Sequence, residues 1–178
     1  MFGVDRTLRI VLAAILLFIA APGKAEDADF LELAKALPET AITLKDGLVL
    51  SDFAGRPISA EYELQGGLLL LFIVAANEGR FTEIVFDGRS GSLEQVEPVS
   101  DADDLEDAKQ QNAAMAKADI SLVTALEQVE QENEGYRAVS VIPRLDGDGP
   151  VAGFVLIKGT DVKQVDKKLT SADPPTVE

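Results

Sequence analysis

Hydrophobic and polar residues alternate along residues 56–98 in runs that turn residues separate. The first run has the two-residue period of a strand with one apolar face and one polar face: Ala60, Tyr62 and Leu64 alternate with Ser59, Glu61 and Glu63. Gly66-Gly67 then predicts a tight hairpin, because glycine tolerates positive φ. Residues 68–75, 81–86 and 93–96 follow as further strands, so the stretch predicts an antiparallel meander.

The second run is apolar almost throughout, which is typical of a central strand covered on both faces. We therefore predict that six of its side chains are all buried: Leu70, Phe72 and Val74 on one face, and Leu69, Leu71 and Ile73 on the other. The turn Asn77-Glu78-Gly79 ends this strand.

Two helices are predicted before the sheet. Apolar residues between Phe30 and Leu37 cluster on one helical face, and Pro38 stops the helix. Thr43 and Asp46 have the spacing of a capping box and predict a second helix that ends at Gly55. Three of its side chains are expected to face the sheet: Leu44, Leu48 and Phe53.

The same order of elements recurs in residues 120–169. Ile120-Ser121-Leu122 matches Ile42-Thr43-Leu44, a helix over residues 122–133 ends before Gly135, and strand-like runs follow at 137–141, 154–157 and 162–166. This recurrence predicts a duplication. The expected fold is α+β with two repeated units, each a helix packed on an antiparallel meander sheet of three to four strands.

The predicted boundaries follow from these patterns. Residues 26–98 form the first unit with its leading helix, residues 99–118 a helical connector capped by Ser100 and Asp103, and residues 119–169 the second unit. Residues 170–178 contain no packing residues and are expected to be disordered.

Residues 1–25 have the pattern of a secretory signal peptide. Arg6 and Arg9 precede the apolar run of residues 10–21, and small residues end the segment at Ala25. The apolar run is shorter than the roughly 20 residues that span a bilayer, so we predict cleavage near Ala25 and a periplasmic or secreted protein. Without cysteine, the chain offers no site for a bacterial lipoprotein anchor.

The charge balance is strongly acidic. The chain carries 16 basic and 31 acidic residues, a formal charge of −15, and a cut after Ala25 removes three basic residues and one acidic residue, which makes it −17. Such a field repels phosphate backbones and anionic lipid and attracts basic partners. Nucleic acid and stable membrane insertion are therefore not expected, whereas a basic exported protein or peptide is.

Composition also limits the chemistry. With no histidine and no cysteine, the chain cannot build Ser-His or Cys-His nucleophile pairs or zinc sites with nitrogen or sulfur ligands. Carboxylate pairs stay possible. Asp146-Gly147-Asp148-Gly149 lacks the other ligands of an EF-hand loop, so a hairpin turn is favoured there over a weak calcium site, and no cofactor is expected.

Each predicted unit resembles the PepSY family, the module of thermolysin-like propeptides and many secreted bacterial proteins. Three features carry the resemblance: the opening Ile42-Thr43-Leu44 and Ile120-Ser121-Leu122, the glycine after each helix, and residues 86–93, which look like the family's closing signature. The second unit departs from that signature at Thr170. The resemblance implies a PepSY/cystatin-like fold that binds, inhibits or chaperones other secreted proteins, often peptidases.

The predicted function is therefore non-enzymatic binding of another exported protein, with a peptidase as the expected partner. The alternative is a carboxylate-based enzyme or a carbohydrate-binding protein of the periplasm. The candidate partner-binding residues are the acidic start of the connector: Asp101, Asp103, Asp104, Glu106 and Asp107.

Overall fold

The computed structural model describes residues 24–147 and 149–171. The helices in this part of the chain are α1 (Lys24–Ala36), α2 (Leu44–Leu50), α3 (Ala102–Met115) and α4 (Leu122–Glu132). The strands are β1 (Arg56–Gln65), β2 (Leu68–Asn77), β3 (Arg80–Asp87), β4 (Leu93–Pro98), β5 (Arg137–Asp146), β6 (Gly149–Lys158) and β7 (Asp161–Lys168).

All seven strands form one antiparallel sheet in the order β4-β3-β2-β1-β5-β6-β7. The prediction of two repeated helix-on-sheet units is therefore wrong. The two meanders join where β1 pairs with β5, with Ala60 opposite Val141 and Glu61 opposite Ser140. A physical reason is that an unpaired strand edge leaves backbone N–H and C=O groups without partners, and this pairing removes one exposed edge from each meander.

One face of the sheet is closed by α1, α2 and α4, and a single apolar core runs under them from both halves of the chain. The capping box of α2 is confirmed, because Thr43 Oγ1 accepts from Asp46 N at 3.0 Å while Asp46 Oδ2 accepts from Thr43 N at 3.0 Å. Leu44 and Leu48 are buried as predicted. Phe53 is not: it lies in a short 3-10 helix and is 64% exposed.

Arg137 ties the two halves together beneath this helical layer. Its guanidinium donates to Leu37 O at 2.9 Å and to the Tyr62 hydroxyl at 3.2 Å, and it lies 5.6 Å from the centre of the Tyr62 ring. The Tyr62 hydroxyl in turn donates to Ile42 O. A residue of β5 thus holds the loop between α1 and α2 against β1.

Gly55 lets the chain pass from this helical layer into β1. Its φ is +131°, and a Cβ there would lie 2.5 Å from the backbone oxygen of Ala76. Because neither the conformation nor the space suits a side chain, this glycine ends the helical segment. The α-helix itself ends earlier than predicted, at Leu50, and residues 51–54 form a 3-10 helix.

The opposite face of the sheet is only partly covered, by α3. This helix packs mainly on β5 and also contacts β1, β2 and β6, and Arg56 fixes its carboxyl end by donating to Met115 O and to Asn112 Oδ1, each at 2.9 Å. The helix cap is Asp101 rather than the predicted Ser100. Asp101 Oδ1 accepts from Asp103 N at 2.9 Å. The negative charge of this carboxylate also interacts favourably with the positive end of the helix dipole.

The partial cover of this face corrects the prediction for β2. Leu69, Leu70, Leu71 and Ile73 are buried, in agreement with a central strand. Phe72 and Val74 are only partly buried, because they point to the face that α3 leaves open.

Some predictions fall outside the described residues. These are the signal peptide up to residue 23, the tail from residue 172 onward, and Asp148 in the β5–β6 turn. Within residues 24–147 and 149–171, every helix is too short or too polar to span a bilayer.

Candidate functional site

The open part of the second sheet face forms a cleft between β1 and α3, with a volume of about 80 Å³. Strand β1 forms much of it because residues at alternate positions point to the same side of a strand. Four such side chains line the cleft: Ser59, Glu61, Glu63 and Gln65. They are the polar face that the alternation in the sequence predicts.

One face of α3 forms the facing wall. Asp104, Asp107 and Gln111 line the cleft together with Ala108, and their spacing of three or four residues places them one above another along a helix. Glu83 of β3 adds a further carboxyl group. The cleft is thus lined by five carboxyl groups, and none of its lining residues is lysine or arginine.

Apolar side chains complete the cleft. Phe72 and Val74 from β2, Ile142 from β5 and Val99 from the β4–α3 connection all line it. An occupant of this cleft would therefore meet both apolar surface and carboxyl groups, a combination that suits a cationic group carried on an apolar stem.

Glu61 is a strongly perturbed acid of this cleft. Removal of its carboxyl from solvent, together with the nearby charges of Glu63, Asp104 and Glu83, raises its pKa to about 8. No described residue hydrogen-bonds to this carboxyl. Glu61 is therefore largely protonated at pH 7, although it stands in the most acidic part of the surface.

Two other lining residues differ in their hydrogen bonding. Glu63 Oε2 accepts from Gln65 Nε2 at 2.8 Å. Gln111 Oε1 is buried and has no hydrogen-bond partner among the described residues. A buried amide oxygen without a partner costs free energy, so a donor that reaches the Gln111 amide would lower this cost.

The structure separates the predicted partner-binding residues. Asp104 and Asp107 line the cleft, and burial and the neighbouring acids Asp104, Asp103 and Glu106 raise the pKa of Asp107. Asp101 caps the helix. Asp103 and Glu106 are exposed outside the cleft, and Glu106 lies 3.7 Å from Lys109.

Of the lining residues, sequence reasoning identified only Asp104 and Asp107 as site residues, and those it missed include Glu61, Glu63, Glu83 and Gln111. The alternation in β1 placed Glu61 and Glu63 on one face, and helical spacing placed Gln111 beside Asp104 and Asp107. No local pattern showed that α3 packs across β1, and this packing alone brings the two sets together.

No cluster of three or more acidic residues in the described part of the chain has the geometry of a metal site. The possible calcium loop is a hairpin turn as predicted, with Asp146 paired to Gly149 and Asp146 Oδ1 accepting from Gly147 N at 2.6 Å.

Comparison with known proteins adds little. No protein-family model matches the chain, and no curated protein matches it. A solved structure from Clostridium difficile 630, described as a putative lipoprotein, is 12% identical with a TM-score of 0.41, and the match covers 74% of this chain and 88% of that one.

Proposed function

We propose that this protein is exported and binds a basic segment of another exported protein in its acidic cleft, without catalysing a reaction. The observation that carries the proposal is the cleft itself, where five carboxyl groups and no lysine or arginine surround a partly apolar floor. Binding would inhibit or chaperone the partner. The PepSY resemblance supports this role and makes an exported peptidase the expected partner.

Electrostatics supports a basic partner for the whole molecule as well as for the cleft. A formal charge of −15, or −17 after removal of residues 1–25, speeds the encounter with a positively charged surface. The cleft then adds a local acidic region with apolar walls, where the partner's side chains lose contact with water and electrostatic interactions strengthen.

We predict that a partner recovered from periplasmic extract depends on the cleft. The double variant Glu63→Gln/Asp107→Asn should weaken its binding at least tenfold, because two carboxylates next to the bound cation are lost. The charge-matched control Glu78→Gln/Glu134→Gln changes two exposed residues that do not line the cleft and should keep most of the affinity. Surface plasmon resonance on the purified partner measures both.

The salt dependence of the same measurement separates steering from local contact. Association should slow steeply between 0.01 and 0.15 M salt for every variant, in line with a Debye length that falls to about 8 Å at the higher value, whereas the cleft variant should also dissociate faster. Equal losses of affinity in the cleft variant and the control variant would contradict a role for the cleft in binding.

Export itself has a direct test. Because the small residues before Glu26 suit a signal peptidase, the mature protein should begin at Glu26, and intact-mass measurement of the periplasmic protein checks this. Cleavage there removes only the first two residues of α1 and leaves the buried Phe30 and Leu33 of this helix in place. A mass that includes residues 1–25 would replace cleavage with retention of the segment.

A carboxylate-based enzyme or carbohydrate-binding protein is the second candidate. It is favoured by one observation: the raised pKa of Glu61 places a protonated carboxyl beside several other acids in a cleft, an arrangement that glycoside hydrolysis uses. Turnover of periplasmic glycans that Glu61→Gln abolishes would support this candidate. Cleft-dependent binding of a basic protein without turnover would support the first.

A further inference from the structure

We propose that the part of the cleft lined by Glu61 and Gln111 is a subsite for a primary ammonium group, such as the end of a lysine side chain. The inference rests on the proposed function, because it specifies which group of a basic partner enters the cleft. The two acceptors lie on different elements, the Glu61 carboxyl on β1 and the Gln111 amide oxygen on α3, and the described residues donate no hydrogen bond to either.

The hydrogen-bonding inventory favours an ammonium group. Gln111 offers a buried amide oxygen that accepts nothing from the described residues, and Glu61 adds a carboxyl group to the same cleft lining. An ammonium group has three donors and no acceptor, so it satisfies both without leaving an unmatched acceptor of its own. Glu63 already accepts from Gln65, so it contributes mainly its charge.

Shape favours lysine over arginine. An ammonium group is compact and can donate to acceptors on two elements at once, whereas a guanidinium is a broad planar fork that prefers to bind one carboxylate through two parallel hydrogen bonds. Phe72, Val74 and Ile142 provide apolar surface for the methylene groups of a lysine stem.

Binding of an ammonium group at Glu61 should also release a proton, which simple attraction to a charged surface would not do. Glu61 holds a proton at neutral pH because its carboxyl is largely removed from water and other acids lie nearby, which together raise its pKa to about 8. An ammonium group that hydrogen-bonds to its carboxyl favours the ionised form. The O–H proton of Glu61 then passes to the buffer as the cation enters, so binding at pH 7 releases up to one proton for each ligand.

The test uses the full mature chain and Nα-acetyl-lysine methylamide as the probe, with the norleucine and arginine analogues as controls. Carbon-13 NMR of the Glu61 carboxyl and nitrogen-15 NMR of the Gln111 side-chain amide report on the subsite. The lysine probe should shift both signals and lower the pKa of Glu61 by about one unit or more. The norleucine probe should shift neither, and the arginine probe should bind at least threefold more weakly than the lysine probe.

Two variants provide independent checks. Glu61→Gln should abolish proton release, measured by calorimetry in buffers of different ionisation enthalpy, and Gln111→Leu should weaken the lysine probe several-fold while the chain stays folded by circular dichroism. Equal shifts from lysine and norleucine probes, or lysine binding that leaves Glu61 and Gln111 unperturbed, would overturn the proposal. Because no protein partner is used, this result stands or falls separately from recovery of such a partner.

Discussion

Leu71→Ala is expected to lower the free energy of unfolding by about 2–5 kcal/mol, the range for truncating a leucine in a closed core. Leu71 is fully buried in β2, between Tyr62 of β1 and Phe86 of β3. Its Cδ2 lies only 2.5 Å from where a Cβ on Gly47 of α2 would stand. The helix and sheet are thus in close contact here, and removal of the side chain leaves a cavity that they cannot easily fill.

Leu68→Ala is the matched control, since it makes the same change three residues earlier on the same strand. Leu68 is 50% exposed at the β1–β2 turn, so its truncation should cost less than about 1 kcal/mol. Phe72→Ala should fall between the two, because its ring borders the cleft and water can occupy the space that it leaves. Urea unfolding followed by circular dichroism measures all three, and equal losses for Leu71 and Leu68 would contradict the assigned faces.

The comparison of Leu71 with Phe72 shows how far local pattern predicts this fold. Alternation in β1, the apolar run of β2 and the capping box at Thr43 each depend on neighbouring residues, and each predicted its element. Whether the second face of β2 is covered depends on α3, which is more than 25 residues away along the chain. The sequence pattern predicted burial on both faces of β2, although only one of these faces is covered by a full layer of helices.

The join between β1 and β5 was not predicted for a related reason. Ala60 and Val141 lie 81 residues apart, and nothing in either strand specifies its neighbour beyond being apolar on one face. Local reasoning therefore gave two repeated units and left open whether their strands form one sheet or two. Pairing of the two inner edges and a shared core under α2 and α4 make one larger sheet instead, which buries a greater fraction of the chain's surface than two small units would.

The candidate site also depends on packing between elements that are distant along the chain. Acidic residues at the start of α3 were visible in the sequence, but their separation into a helix cap, exposed charges and cleft-lining residues depends on how the helix lies on the sheet. Glu61 drew no attention as part of a strand's polar face. Its position under α3 turns an ordinary surface glutamate into a half-buried acid with a raised pKa, and such strongly shifted groups concentrate at functional sites.

Glu61→Gln is therefore expected to stabilise the protein at alkaline pH. The folded-state pKa of about 8 lies above the ordinary value of 4.5, so the folded protein holds this proton more tightly than the unfolded chain does. The cost of ionising Glu61 is absent below about pH 4.5, grows between there and pH 8, and is complete above that range. At about 1.4 kcal/mol for each pKa unit, the variant should be more stable than the natural chain by about 3–5 kcal/mol at pH 9.

Urea unfolding at pH 4, 6, 7.5 and 9 tests this dependence, with Glu78→Gln as the control in the exposed β2–β3 turn. Subtracting the unfolding free energy of the natural chain from that of each variant at the same pH removes the contributions of other acids. These acids include Asp46 and Asp87, whose hydrogen bonds lower their pKa values. This difference in unfolding free energy should rise with pH for Glu61→Gln and should stay nearly constant for Glu78→Gln. A flat difference for Glu61→Gln would mean that its carboxyl is well solvated, and the acidic cleft would then lose the protonated group on which the ammonium subsite depends.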